Sequence, residues 1–532
     1  MFDLILKNCR ILDGTGSPWQ RGDVAVKDGR IAAIGKLIPD GEDGSSLAAE
    51  VVDGEDRYLA PGFIDIHSHS DTTLMTYPQA ESRILQGVTT ELGGNCGISA
   101  APVSADEGKR KLLHDYTGDL AYTWRSVDDY LSYMEEIKPS VNLALIVGHG
   151  TLRIAAMGFD KRVPTAKEMD FMKGLLAESL EDGAFGMTSG LIYPPGSYSE
   201  TEELTELCKV LPRYGAFYGT HMRNEGNKLL EAVEEALTVA RESGAPLEIS
   251  HHKAVNKQNW KSLCYQSTAR IEEARRQGID VRCDQYPYIA TATSLDSNVP
   301  IWAFEGGVEQ MLARLQDPET RAKLRDQANQ SHEGRWQNIF VSYCKNEADK
   351  WVVGKNIVEI ATALGKDPAD ACFDLVLASR SRIGEVNYAM CEEDVEYIMQ
   401  KPYVMIGSDG NSFSLDYDGM PHPRAYATFP RVIAHYSRDR GLFPLEEAIR
   451  KMTSMPAARM GLTDRGLIKE GFCADLVLFD YDQIQDTPTF ANPKAACAGI
   501  LRVYVNGVLT AKDGVHTGAR AGKMLRHGRQ NG

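Results

Sequence analysis

Hydrophobic and polar positions along the chain fall into two rhythms. In the first sixty residues, and again near the C-terminus, short partly alternating apolar runs are broken by glycine-rich turns such as Lys27-Asp28-Gly29-Arg30. Residues 2–8, 10–12, 23–27 and 30–35, then 474–480 and 500–506, therefore read as short strands. No short strand set buries its own face alone. The two ends are expected to pair into one small β domain, residues 1–60 with 466–532.

The middle, residues 61–465, alternates strand-like apolar runs with helical stretches. Eight runs qualify: 62–66, 88–92, 141–147, 184–187, 216–220, 247–250, 279–283 and 403–407. Among the helical stretches, residues 227–243 space Leu230, Val233, Ala236 and Val239 for one face and stop at Gly244. Eight rounds of strand and helix predict an α/β fold, a (β/α)8 TIM barrel, with a doubly wound sheet as the structural rival. Residues 289–400 are too long for one connection between strands 7 and 8. They are expected to form an insertion with helices of its own that covers the site and excludes water.

Composition narrows the class. The chain has 532 residues, 43% hydrophobic and 25% charged, which excludes disordered and collagen-like chains. Lys+Arg is 58 and Asp+Glu is 74, a net charge of −16. A nucleic-acid partner is not expected, because phosphate tracking needs neutralising cations. An anionic substrate would need a local basic cluster. No apolar run approaches the ~18–20 residues that cross a bilayer, and Asp3 stands too early for a signal peptide. Ten cysteines are scattered from Cys9 to Cys497 with no C-x-x-C pair, the pattern of reduced thiols in a cytoplasm. Oligomeric state leaves no mark.

The candidate chemistry stands at the strand ends. His67 and His69, two apart after the first strand, point to the same face. Cys96 follows the second strand in Gly93-Gly94-Asn95-Cys96-Gly97. His221 closes the fifth, His251 follows the sixth and Asp409 follows the eighth. In a barrel these ends share one face, where barrel active sites sit. Alone, Cys96 reads as a buried structural thiol and Asp409 as a helix cap. Five strand ends occupied together by imidazole, sulfur and carboxylate predict a metal site.

These motifs resemble a known family. Pro61-Gly62-Phe63-Ile64-Asp65-Ile66-His67-Ser68-His69 resembles the opening motif of the amidohydrolase superfamily. The closer resemblance is to the N-acyl-D-amino-acid deacylases, or D-aminoacylases. It rests on the Cys96 block, Gly148-His149-Gly150-x-x-Arg153, 189–196, 221–225, His251-His252-Lys253, 284–288, Ser408-Asp409-Gly410 and His422-Pro423-Arg424. The blocks run from about residue 60 to 465. Many superfamily members bridge two metals with a carboxylated lysine after strand 4. Strand 4 here, Ala184-Phe185-Gly186-Met187-Thr188-Ser189, has no lysine, and the deacylase branch uses a cysteine after strand 2, where Cys96 stands.

The resemblance implies zinc-dependent hydrolysis of the amide bond of linear N-acyl-D-amino acids. Cys96, His221 and His251 would hold one tight Zn²⁺. His67, His69 and Asp409 would hold a second, weaker metal, with Cys96 available to both. Asp409 is the implied general base. Lys253, Tyr286 and Arg424 are implied to bind the substrate α-carboxylate. Tyr193 either donates to the scissile carbonyl oxygen or packs, and His149 either supports the ligands from behind or packs. His252 and His422 are read as supporting residues. A cyclic amidase of hydantoinase or dihydroorotase type is the alternative, disfavoured by the missing lysine. A non-catalytic scaffold is disfavoured because no expected ligand is missing.

Overall fold

The computed structural model describes residues 1–39, 42–118, 120 and 122–529, so the last three positions of the expected terminal domain lie outside it. Its centre is a ring of parallel strands: β1 (Phe63–Asp65), β2 (Val88–Gly93), β3 (Asn142–Leu145, resumed as Val147–Gly148), β4 (Gly186–Gly190), β5 (Phe217–His221), β6 (Leu247–Ile249), β7 (Val281–Gln285) and β8 (Val404–Ile406). Consecutive members pair in parallel from β1 to β3 and from the resumed part of β3 to β8. At the break in β3, the Ile146 amide donates to Gly93 O at 2.9 Å. The ring closes where Asp409 N donates to His67 O at 2.8 Å and His69 N to Gly410 O at 2.9 Å. All eight expected strands are present, and closure removes the doubly wound alternative.

Inside the ring, Ile64, Leu92, Ala144, Ile146, Phe185, Phe217 and Met405 form one buried cluster. Met455, Ala457 and Met460, from a short plug helix (Ser454–Met460), join the same cluster and stop the amino end of the barrel. Arg282, near the start of β7, donates to Met455 O at 3.1 Å and pins that plug. Burying each large side chain stabilises by roughly 1.5–3 kcal/mol.

The helix expected at 227–243 spans Leu229–Ser243 and ends on Gly244 in a left-handed turn, φ 74°. Its buried face uses Leu229, Val233, Ala236 and Ala240. Leu230, expected on that face, is only half-buried, because the stripe starts one residue earlier.

The chain ends meet in one nine-stranded sheet. Phe2–Ile11 is a single bulged strand where two were expected, paired with Gln20–Lys27, Ala48–Asp53 and Tyr58–Pro61. Tyr58–Pro61 pairs antiparallel with Leu476–Phe479, joining N-terminal strands to C-terminal ones.

Between β7 and β8, strands Thr291–Ser294, Ile339–Cys344 and Ile383–Asn387 form a small antiparallel sheet. Four α-helices pack on it around a separate apolar core that includes Leu295, Phe304, Leu312, Ile360 and Phe373. The last helix of the stretch expected as insertion, Glu392–Met399, instead places Val395, Ile398 and Met399 in the barrel core.

Candidate metal centre

The carboxyl end of β5, which is His221 itself, and the loops after β1, β2, β6 and β8 bring the six expected ligands to the mouth of the barrel. Donor atoms of Cys96, His221 and His251 lie within 4.8 Å of one another, as do those of His67, His69, Cys96 and Asp409. Cys96 Sγ is the shared vertex, 3.3 Å from His67 Nε2 and 3.4 Å from His251 Nε2. His69 Nε2 is 2.9 Å from Asp409 Oδ1, and His67 Nε2 is 3.5 Å from the same oxygen.

Local backbone is bent to make this cluster. Cys96, His251 and Asp409 have φ of 54°, 36° and 52°, the left-handed region that costs a non-glycine residue about 1–3 kcal/mol. Two glycines make room. A Cβ on Gly190, at the end of β4, would lie 2.0 Å from Cys96 O, so the cysteine loop rests directly on the strand that lacks the lysine. A Cβ on Gly407 would lie 2.7 Å from the His67 Cβ. Beneath the mouth, buried Arg83 sits 2.9 Å from Glu91 on β2 and 3.4 Å from Asp65 on β1. Asp65 in turn accepts from the Ser408 amide at 2.9 Å, which fixes the β1 and β8 ends together.

The donors fit a zinc ion. Buried His221 has no hydrogen-bond partner on either ring nitrogen among the described residues, an arrangement that is costly unless the ring serves as a ligand. Burial alone would raise the Cys96 thiol; the charges of His67 and His251 outweigh it and hold the group well below its ordinary value, toward thiolate. A thiolate with two imidazoles and one open position matches catalytic zinc. Burial likewise opposes ionisation of Asp409, but Arg424 overrides it and keeps the carboxylate charged.

Two carboxylates that the sequence reading left without a role contact the candidate ligands His67 and His251. Asp284, at the end of β7, lies 3.1 Å from His67 Nδ1 and accepts the His251 amide at 2.8 Å, touching both donor groups. Glu225 lies 3.0 Å from His251 Nδ1 and 2.5 Å from Lys253 Nζ. Asp284 carried a signal, standing at the mouth end of β7 as Asp409 does beyond β8. Glu225 stands four residues after His221 on a loop, and nothing in its spacing marks it.

A cavity of about 700 Å³ opens over the cluster, walled by Lys253, Tyr286, Arg424 and Tyr193. The Tyr286 ring stands between two cations, 4.8 Å from the Arg424 guanidinium and 5.6 Å from Lys253 Nζ. Arg424 also pairs with Asp409 at 2.7 Å. Tyr193 packs edge-on against His221, and its hydroxyl lies 3.1 Å from Thr293 Oγ1 of the insertion. His422 receives the Arg424 amide at 3.0 Å and lies 2.9 Å from Ala290 O. His149 and His252 are outside the cavity lining: His149 pairs with Glu203 at 2.8 Å and His252 lies 2.9 Å from Ser267 Oγ.

Comparison with known proteins adds the following. Residues 50–511 match the amidohydrolase family. The D-aminoacylase of Alcaligenes xylosoxydans xylosoxydans is 38% identical over 98% of this chain and 97% of its own. A solved D-aminoacylase, studied for one-metal activation and second-metal attenuation at its binuclear centre, superposes with a TM-score of 0.83 at 37% identity, covering 99% of this chain and 100% of that one. The N-acyl-D-glutamate deacylase of Bordetella bronchiseptica, solved with zinc and a phosphonate mimic of the tetrahedral intermediate, also gives 0.83, at 33% identity and 99% of both chains.

Proposed function

The chain belongs to the amidohydrolase family, and from that premise we propose that it hydrolyses the amide bond of linear N-acyl-D-amino acids with zinc, releasing a carboxylate and a free D-amino acid. The observation that carries this reading is the Cys96 vertex: one buried thiol shared by two groups of donors, over a strand 4 that offers no lysine. The absence of that lysine also counts against a cyclic amidase.

Cys96, His221 and His251 are suited to the tight zinc, and His67, His69 and Asp409 to a weaker second metal. When bound, zinc acidifies water and polarises a carbonyl. Asp409 Oδ1 is the proton carrier. It takes a proton from the attacking water and delivers it to the leaving amine, while His69 Nε2 at 2.9 Å fixes its direction. Lys253, Tyr286 and Arg424 receive the α-carboxylate. A guanidinium carries five donors, so Arg424 can hold Asp409 and the substrate together. A charge-assisted hydrogen bond contributes roughly 1.5–3 kcal/mol, enough to secure an anion against a screened net charge of −16. Tyr193 is placed to donate to the scissile carbonyl oxygen. Asp284 and Glu225 position the imidazoles, as carboxylates behind metal-binding histidines do. The strand Thr291–Ser294 of the insertion walls the cavity and limits water. Ten buried free thiols suit a reduced, cytoplasmic setting.

The experiment is a side-by-side assay of the zinc-loaded protein on acetyl-D-amino acids, acetyl-L-amino acids and hydantoin. Release of the D-amino acid with no turnover of the L form is the expected result. Turnover of hydantoin alone would transfer the assignment to cyclic amides.

A further inference from the structure

A second cavity, of about 500 Å³, lies beside the plug helix at the amino end of the barrel, where β7 and β8 begin. Four arginines line it, Arg275, Arg282, Arg450 and Arg465, and no carboxylate does. In a chain of net charge −16 this is a local inversion of sign.

Charge accounting separates the four. Arg465 is buried against Asp475 at 2.6 Å. Arg450 is clasped by both oxygens of Glu447 at 2.7 and 2.8 Å. Arg275 and Arg282 have no ion-pair partner among the described residues. Arg275 donates to Val281 O and lies over the Tyr403 ring at 5.1 Å. Arg282 is half-buried and spends one donor on Met455 O. Two nearby acids on the barrel side, Glu248 and Asp280, are already held by Arg459 at 3.3 and 3.0 Å. Glu248 and Asp280 also act on Arg282 at longer range, but among the described residues no carboxylate touches either guanidinium, and each spends only one donor on protein oxygen. Tyr403 and Phe472 supply aromatic wall beside them.

A guanidinium fork matches the oxygen edge of phosphate with two parallel hydrogen bonds, and two forks match a double negative charge. We propose that this cavity is a binding site for a dianionic phosphate group, free or as a monoester, distinct from the catalytic mouth. The site joins the plug helix to the strands, so occupancy braces the amino end of the barrel.

The test is isothermal titration of the zinc-loaded full chain with inorganic phosphate and with phenyl phosphate. Saturable binding that weakens with added salt is expected. Arg275→Gln/Arg282→Gln is expected to weaken it by at least tenfold while deacylase turnover stays unchanged, and Arg424→Ala is expected to leave it intact. Tighter binding of phenyl phosphate assigns the site to an ester lying on Tyr403 and Phe472; equal binding assigns it to free phosphate. Should the double variant not fold, exposed Arg275→Gln alone still weakens binding severalfold. No saturable binding of either probe, unchanged affinity in the arginine variants, or a loss confined to Arg424→Ala would overturn the proposal.

Discussion

At the carboxyl end of the barrel, three candidate ligands sit in left-handed backbone and His221 keeps two buried nitrogens without hydrogen bonds. At the amino end, Met405, Phe217, Met455 and Met460 fill the ring, and none of them has a positive φ. The mouth holds strained backbone at its candidate ligands; the floor is filled mainly by apolar side chains, with a buried Glu248–Arg459 pair and the arginine-lined cavity beside them. Strain at a site persists only where its surroundings over-determine it. Here the floor, together with the Arg83–Asp65–Glu91 network, provides that restraint. Side chains at the mouth are expected to govern turnover, and side chains at the floor to govern stability.

Substitutions can break this division. The largest effect is expected at the mouth. Asp409→Asn should lower kcat by about 10²–10⁴-fold, the usual value of a proton-transfer group, while the fold and the tight zinc are kept. A variant with near-normal kcat would remove Asp409 from its role. Next comes the floor, where Met405→Ala should cost about 2–5 kcal/mol in urea unfolding with kcat preserved. A large loss of kcat without a loss of stability would erase the contrast between the two ends.

The smallest effect sharpens the comparison by adding the insertion. Burial lowers His332 from 6.5 to about 4. The unfolded chain therefore binds a proton that the folded chain refuses between those values. This contribution to stability is complete above pH 6.5 and is lost as pH falls toward 4. The loss amounts to about 2 kcal/mol at pH 5. His332→Asn should flatten the decline in melting temperature between pH 7 and 5. An unchanged slope would place the acid sensitivity elsewhere.

Much of the barrel was legible because apolar runs and helical periodicity repeat eight times, and its candidate ligands because each stands just past a run. Ala48–Asp53 and Tyr58–Pro61 escaped notice: Glu50 and Asp53 interrupt the first, and the second is four residues long. The Glu392–Met399 helix merged with the insertion because sequence distance does not say which core a helix joins. Asp284 and Glu225 went without roles because their work depends on imidazoles 26 (251 − 225) to 217 positions away, visible only after folding. The arginines around the plug helix were invisible for the same reason, spread as they are from residue 275 to 465.

The central claim is that Cys96 and the imidazoles grip a metal ion. Replacing zinc with Co²⁺ tests it directly, since a thiolate bound to Co²⁺ gives a sulfur-to-metal charge-transfer band in the near ultraviolet. That band is expected in the loaded protein and should vanish in Cys96→Ala. A loaded protein with no such band, or one whose band survives Cys96→Ala unchanged, would contradict the account.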